Sequence, residues 1–195
     1  MLNINSVEGS AKTVPIIHQR RRLLLGAHAV LFTRYAIATF MSAFFPQAAT
    51  GMGFSGTLNG IIFAAYPCGM ALASFFTSQW IRFLGARNAV LFGLFCMLLF
   101  TLLFGFAPDI SSGDGTKALF VITYFLNGLT GALAETACIA MVSNCFQDRL
   151  GEVMASIGTV SGVGCMVGPV IGGVSYDAFP DDPKSAFRMP FSVCA

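Results

Sequence analysis

The chain is divided into five long apolar segments by short stretches that are polar or rich in glycine and proline. The apolar segments run over residues 23–45, 57–81, 89–107, 118–145 and 154–176. A helix needs about 20 mostly apolar residues to cross a bilayer, and it satisfies its own backbone hydrogen bonds there. The pattern therefore predicts an all-α, polytopic membrane protein with five complete spans.

The two ends of the chain differ from this pattern. Residues 1–22 are polar and end in Arg20-Arg21-Arg22, so we expect a polar tail followed by a transmembrane bundle over 23–195. A signal peptide is disfavoured, because the apolar stretch before Ala27-His28-Ala29 is far shorter than the roughly 7–15 residues that a signal peptide requires. A sixth apolar run begins at about Met189 and stops at Ala195, which is typical of a fragment that ends inside a sixth span.

The composition supports a lipid environment. Hydrophobic residues make up 55% of the chain and charged residues only 10%, against about 25% in soluble domains. The mean hydropathy is +0.74. These values exclude a disordered chain and a water-soluble domain. With a net charge of +2 and a single short basic run, the chain is not expected to bind nucleic acid.

The distribution of lysine and arginine predicts the orientation. If the N-terminus is cytoplasmic, seven basic residues outside the spans lie on that side and three on the other. Basic residues concentrate on the cytoplasmic side of membrane proteins, so we expect the N-terminus to be inside. The chain does not indicate which membrane holds the protein.

The sequence offers little support for an enzyme active site or a cofactor-binding site. Gly53-Phe54-Ser55-Gly56 resembles a serine-protease loop, but both histidines, His18 and His28, lie upstream of it rather than on a later helix. No cysteine belongs to a CxxC pair, and Gly162-x-Gly164 lies inside an apolar span rather than after a strand. We therefore predict no enzyme, no metal site and no cofactor.

Two charged residues lie within the spans. Arg34 is near the middle of the first span, where an arginine costs about 3 kcal/mol on insertion scales. Glu135 is in the fourth span, at a depth that differs from that of Arg34 by roughly 8–10 Å. A long arginine side chain could bridge most of this gap if the helices are neighbours. The pair is either a structural ion pair or part of a pathway for substrate or protons.

Glycines recur every four residues in the fifth span. One stripe contains Gly158 and Gly162, and the other contains Gly164, Gly168 and Gly172. Such spacing is typical of close helix packing in membranes. Pro169 removes one backbone hydrogen bond and predicts a kink. One interpretation of these glycines and Pro169 is close helix packing alone. The more specific interpretation is a hinge or seal that moves during transport.

These features resemble the N-terminal half of a major facilitator superfamily transporter, and most closely the vesicular amine and polyamine transporter group. The fifth helix matches the GxxxGPxxGG antiporter motif at Gly164, Gly168, Pro169, Gly172 and Gly173. The fourth helix, from Asn127-Gly128 to Glu135-Thr136, is similar to the "QGxGxxxxET" pattern. The loop after the second span retains Gly85 and Arg87 of the cytoplasmic "DRxGRR" motif.

The chain departs from the family pattern at three positions. Arg82 stands where the loop motif has its aspartate, and Tyr124 stands where the fourth helix usually has an arginine associated with proton coupling. Arg34, twelve residues before Pro46, occupies the place of an aspartate that binds the amine in vesicular amine transporters. The resemblance implies six helices per half, with Arg34 and Glu135 together in a central cavity and the fifth-helix glycines as a seal against ion leak.

The leading prediction is a secondary transporter that exchanges a small organic solute for protons, and this chain is expected to hold one half of it. Its expected partners are lipid, solute, protons, and a missing C-terminal half or a second copy. The alternative is a half-length membrane protein that does not transport and acts by pairing with a partner.

Overall fold

Five long helices form almost the whole of the described structure. The computed structural model describes residues 4–110, 113–177, 187 and 191, with side chains described from Gln19 onward. The helices are α1 (Ile4–Gly51), α2 (Gly56–Leu84), α3 (Ala86–Ile110), α4 (Asp114–Cys145) and α5 (Leu150–Asp177), and a 3₁₀ turn (Gln147–Arg149) precedes α5. Within these residues the predicted all-α fold with five helices long enough to span a membrane is confirmed.

The helices are longer than the apolar segments that predict them. α1 begins at Ile4, inside the predicted polar tail, and continues through Pro46 to Gly51. Hydropathy marks the part of a helix that lipid surrounds, whereas the helix itself continues until its backbone hydrogen bonds stop. The predicted sixth span lies outside the described residues, apart from Phe191.

Two short turns connect the first three helices. Ser55 caps the N-terminus of α2, and its side chain accepts a hydrogen bond from the Leu58 amide at 3.3 Å. Gly85 is the single residue between α2 and α3; it has a φ of 80° and donates its N–H to the Ile81 carbonyl at 2.9 Å. This left-handed conformation favours glycine, which explains the residue that the loop motif retains there.

The helix α4 lies at the centre of the bundle. It packs against α2, α3 and α1, while α5 packs mainly against α1. α1 and α4 are antiparallel, since Arg34 contacts Glu135 and, further along α1, Phe45 contacts Phe120. α3 and α4 are also antiparallel. α2 and α3 make few contacts with each other, so they diverge over the surface of α4.

Two apolar clusters occupy opposite ends of the bundle. One is aromatic and includes Phe40, Phe44, Phe45, Phe104, Phe120, Tyr124, Phe187 and Phe191. The other is built from smaller side chains, including Ala27, Leu31, Ala89, Leu133, Ala137, Val142 and Ile157. On α1, Arg34 lies between Leu31 of the second cluster and Phe40 of the first. The clusters therefore bracket a layer of polar side chains at mid-height.

Glycines allow the helices to approach closely. A Cβ atom on Gly69 of α2 would overlap the Phe125 carbonyl oxygen of α4, and one on Gly128 of α4 would overlap the Tyr66 carbonyl oxygen of α2. On the other side of α4, a Cβ on Gly93 of α3 would come within 2.9 Å of Ala134. Side chains larger than hydrogen would separate the backbones at these crossings.

Candidate functional site: a buried arginine and glutamate

Arg34 is one of the most deeply buried residues of the bundle, with 1% of its surface exposed. Its Nη2 atom lies 2.8 Å from Oε2 of Glu135, which joins α1 to α4. An isolated charge in such a place would be very costly, and pairing offsets much of that cost. The structure thus brings together the two charges that the sequence singles out.

Both carboxylate oxygens of Glu135 have a donor. Tyr35, next to Arg34 on α1, donates its hydroxyl to Oε1 at 2.6 Å, while Arg34 holds Oε2. The guanidinium carbon of Arg34 also lies 4.4 Å from the centroid of the Tyr35 ring, at the distance of a cation–π contact. Tyr35 therefore contacts both members of the pair and orients them.

The guanidinium is enclosed by small and polarisable groups. Its Nη2 lies 3.4 Å from the Met70 sulfur on α2. A Cβ placed on Gly131 would be 3.6 Å from Arg34 Nε and 3.3 Å from the Tyr66 hydroxyl, so this glycine leaves room for both groups. Among the described residues, Arg34 Nε and the Tyr66 hydroxyl make no hydrogen bond. The Nε donor of the arginine is thus unused after pairing among the described residues.

The two charges are not equally accessible. The Arg34 side chain is 2% exposed, whereas that of Glu135 is 18% exposed. A solute or a proton that enters this layer would therefore reach the carboxylate, and the guanidinium would lie behind it.

A second polar contact lies between α3 and α4, about two turns along α4 from Glu135. The Asn127 side-chain amide donates to Thr101 Oγ1 at 2.7 Å and to the Met97 carbonyl at 3.3 Å. Tyr124 stands where the fourth-helix pattern leads one to expect an arginine, and its hydroxyl donates to the Ala38 carbonyl at 3.3 Å. An uncharged hydrogen bond from α4 to α1 is therefore formed at this position.

The sequence pattern did not predict the positions of Tyr35, Tyr66 or Asn127. Asn127 was visible as an amide inside an apolar span, a residue type that is costly to bury without a partner. The two tyrosines gave little indication, because aromatic residues are common throughout the chain.

The longer glycine stripe of α5 packs directly on α1. A Cβ on Gly164 would lie 2.7 Å from the Phe32 carbonyl oxygen, and one on Gly168 or Gly172 would overlap the carbonyl oxygens of Ala36 and Phe40 respectively. The partners advance by four residues in the same direction on both helices, so α1 and α5 are parallel. Thr39 adds a hydrogen bond from its hydroxyl to the Cys165 carbonyl at 3.3 Å.

The remaining glycines of α5 behave differently. A Cβ on Gly158 or Gly162 would meet no atom within 4 Å, so the shorter stripe makes no close contact among the described residues. A Cβ on Gly173 would come only to 3.9 Å from Ala43, an ordinary contact. Pro169 lies inside α5, next to Gly168. The spacing alone did not distinguish these positions, because it does not tell which face meets a neighbour.

His28 connects the ends of α1 and α5 nearest the arginine-rich segment. Its Nδ1–H donates to the Leu24 carbonyl at 2.7 Å, and its Nε2 shares a hydrogen bond of 3.1 Å with Ser156. Arg20 forms an ion pair of 3.6 Å with Asp148 at the same end. His28 therefore contributes to the α1–α5 contact and makes no contact with Arg34 or Glu135.

A search of the described residues finds no group of three or more histidine, cysteine, aspartate or glutamate side chains that could hold a metal ion. The arrangement could hold a charged group or open and close an ion pair.

The fold and the site define a polytopic integral membrane protein whose helices enclose a charged pair. More narrowly, the chain belongs to the Major Facilitator Superfamily, whose family model matches residues 23–195. The expected resemblance to the N-terminal half of such a transporter is thereby confirmed.

Individual curated relatives share fewer than 30% identical residues with the chain over the matched regions. The chain is 27% identical to human MFS-type transporter SLC18B1 over 187 residues, which cover 95% of the chain and 40% of that protein. It is 29% identical to MFS-type transporter ppzB of Metarhizium majus over 64% of the chain and 24% of the relative. It is 28% identical to Multidrug resistance protein 2 of Bacillus subtilis over 63% of the chain and 29% of the relative. The chain thus spans less than half the length of these relatives, and no solved structure is significantly similar to it.

Proposed function

We propose that this chain forms one half of a secondary transporter that exchanges a small organic solute for protons, with Arg34 and Glu135 as its charged site. The observation that carries the proposal is the ion pair of 2.8 Å at mid-height, with a carboxylate that remains partly exposed beside a fully enclosed arginine. Ionisable residues inside membrane proteins usually mark the path of a substrate or a proton. Family membership agrees with a role in transport.

Proton coupling would follow from the pairing itself. When Glu135 takes up a proton, it no longer offsets the charge of Arg34, and an unpaired buried charge is strongly destabilising. The helices must then rearrange, or the solute must supply a new partner for the arginine. Protonation and conformation are linked in this way.

The charge of the site limits the solute. Arg34 stands where vesicular amine transporters place an aspartate, and a cation 4 Å from an arginine would be repelled by about 4 kcal/mol at an effective dielectric constant of 20. Glu135 offsets this charge only while it is ionised. We therefore propose that the solute is not a simple monoamine. Uptake of serotonin-like amines that depends on Arg34 would contradict this.

We further propose that the contact between α1 and α5 acts as the seal that the antiporter motif supplies. The contact leaves no room for a side chain at Gly168 or Gly172, as expected for a barrier to ions. In this proposal the N-terminus is cytoplasmic, and the second half of the transporter is supplied by a C-terminal half or a second copy.

The test is a flux assay on the complete protein reconstituted in liposomes, with an imposed proton gradient. Glu135→Gln should abolish the pH dependence of solute flux while membrane insertion is retained. Glu152→Gln is the matched control, because this carboxylate is 69% exposed and pairs at 2.9 Å with Arg149 of the preceding 3₁₀ turn. Unchanged pH dependence in Glu135→Gln would rule out this glutamate as the coupling carboxylate.

The same assay distinguishes the alternative, a half-length protein that acts through a partner. A protein that remains folded and in a stable complex, but moves no solute under any gradient, would support that alternative over transport.

A further inference from the structure

A cleft lies on the surface of the bundle, away from the ion pair. It arises because α2 and α3 both pack on α4 but diverge from each other, so α4 forms its floor. The cleft has a volume of about 300 Å³. Its lining comes from all three helices and includes Ala73, Thr77, Trp80, Phe92, Leu129 and Leu133.

The lining offers no free polar group. The Thr77 hydroxyl donates to the Ala73 carbonyl of its own helix at 2.6 Å, and the Thr130 hydroxyl donates to the Leu126 carbonyl at 3.0 Å. All other lining side chains are apolar. An occupant of the cleft is therefore a hydrocarbon group.

The Trp80 end of the cleft lies near the helix ends that carry two arginines, neither of which lines the cleft itself. The Trp80 ring stacks on Phe92 across the gap between α2 and α3, with centroids 6.2 Å apart and planes at 19°. Arg82 lies in the last turn of α2 and Arg87 in the first turn of α3, on either side of Gly85. Tryptophan and arginine at a helix end are typical of the level of lipid headgroups.

The charge at this end is not compensated within the described structure. Arg82 and Arg87 are both exposed and form no ion pair, whereas Arg20 and Arg149 pair with Asp148 and Glu152. The sequence contains no aspartate or glutamate from residue 9 to residue 108. Among the described residues, no acidic side chain therefore neutralises these two arginines.

We propose that this cleft binds an anionic phospholipid, with one acyl chain between α2 and α3 against α4 and the phosphate near Arg82 and Arg87. The apolar lining selects the chain, and the arginine pair selects the charge. Basic sites between helices at the membrane surface recognise anionic headgroups in this way. The site is separate from the proposed transport site and does not depend on it.

Trp80 is the only tryptophan of these 195 residues, and it serves as the reporter once any tryptophan in the rest of the complete protein has been replaced by phenylalanine. Trp80 fluorescence would be titrated with brominated phosphatidylglycerol and, separately, with phosphatidylcholine brominated on the same acyl chains. We expect quenching at much lower mole fractions of phosphatidylglycerol. At about 1 kcal/mol per arginine, the double variant Arg82→Gln/Arg87→Gln should reduce this preference by roughly 30-fold.

Two matched double variants test whether the positive charges of Arg82 and Arg87 cause the preference for phosphatidylglycerol. Arg82→Lys/Arg87→Lys keeps the charge and should keep most of the preference. Arg21→Gln/Arg22→Gln removes the same charge from exposed positions on α1 and should leave the preference unchanged. Equal quenching by both lipids, or an equal loss in both glutamine variants, would overturn the proposal. So would the absence of quenching by either lipid in the complete protein, because another segment would then cover the cleft.

Discussion

Arg34 lies behind Glu135: the two side chains are joined at 2.8 Å, yet the arginine is 2% exposed and the glutamate 18%. Tyr35 contacts both groups and keeps the carboxylate oriented toward the guanidinium. The pair is therefore reached through its acidic member. Because the arginine is the more deeply buried member, loss of its partner should change the stability of the protein by a measurable amount.

Removing one member of the ion pair should be strongly destabilising, whereas removing both charges together should cost much less. We expect Glu135→Gln alone to lower the free energy of unfolding by about 3–5 kcal/mol, because it leaves Arg34 buried without a partner. Adding Arg34→Met should recover much of this loss. The measurement is a double-mutant cycle from reversible unfolding by sodium dodecyl sulfate in micelles.

An exposed pair provides the control for this cycle. Arg149 and Glu152 lie 2.9 Å apart in neighbouring turns, but both side chains are more than half exposed. Their coupling should be small, since solvent screens surface pairs. Additive effects at Arg34 and Glu135 would show that the buried pair does not behave as a unit.

The contact between α5 and α1 should not tolerate a side chain at Gly168. A Cβ there would overlap the Ala36 carbonyl oxygen and the Thr39 hydroxyl, so Gly168→Leu must separate the helices. We expect loss of the folded monomer in gel filtration and loss of solute flux. Gly162→Leu, one and a half turns away with open space around it, should retain both. Normal behaviour of Gly168→Leu would contradict the packing described here.

The crossing of α2 and α4 should be equally sensitive to a single methyl group. Gly69→Ala would place a Cβ against the Phe125 carbonyl, and overpacking of this kind costs about 1–3 kcal/mol. Gly60→Ala, in the same helix, meets no atom within 4 Å and should be neutral or slightly stabilising. Thermal unfolding of the two variants, compared in one detergent, tests the difference. Equal midpoints would refute the close approach at Gly69.

The hydrogen bond between Asn127 and Thr101 should make a modest contribution. Interhelical hydrogen bonds in membrane proteins are worth about 0.6 kcal/mol on average and up to about 1.7. Thr101→Val should therefore cost about that much, and less when Asn127→Leu is already present. A loss well above this range would point to a further role for the pair.

Much of the fold followed from the pattern of apolar residues, because lipid imposes a minimum length on every span. The helix ends did not follow as closely. α1 continues past Pro46 to Gly51, and a fall in hydropathy does not mark where a helix ends. The shorter glycine stripe, Gly158 and Gly162, was also predicted incompletely. Glycine spacing shows which residues share one face of a helix, but it does not show whether another helix packs against that face.

The candidate site was only partly predictable. The charges of Arg34 and Glu135 stood out because each is costly inside an apolar span. Their estimated difference in depth, roughly 8–10 Å, is closed in the structure, where the side chains meet directly. The contact of Tyr35 with both charges and the space left by Gly131 depend on how α1 and α4 are rotated. That rotation is set by packing and is not encoded in a local pattern.

The three contacts from Gly164, Gly168 and Gly172 to carbonyl oxygens of α1 also fix how far α5 lies along its neighbour. Because they repeat every four residues, the next equivalent alignment is a shift of about 6 Å, and intermediate shifts bring larger side chains against the backbone. A displacement of α5 along its axis is therefore expected to move α1, and with it the position of Arg34 relative to Glu135.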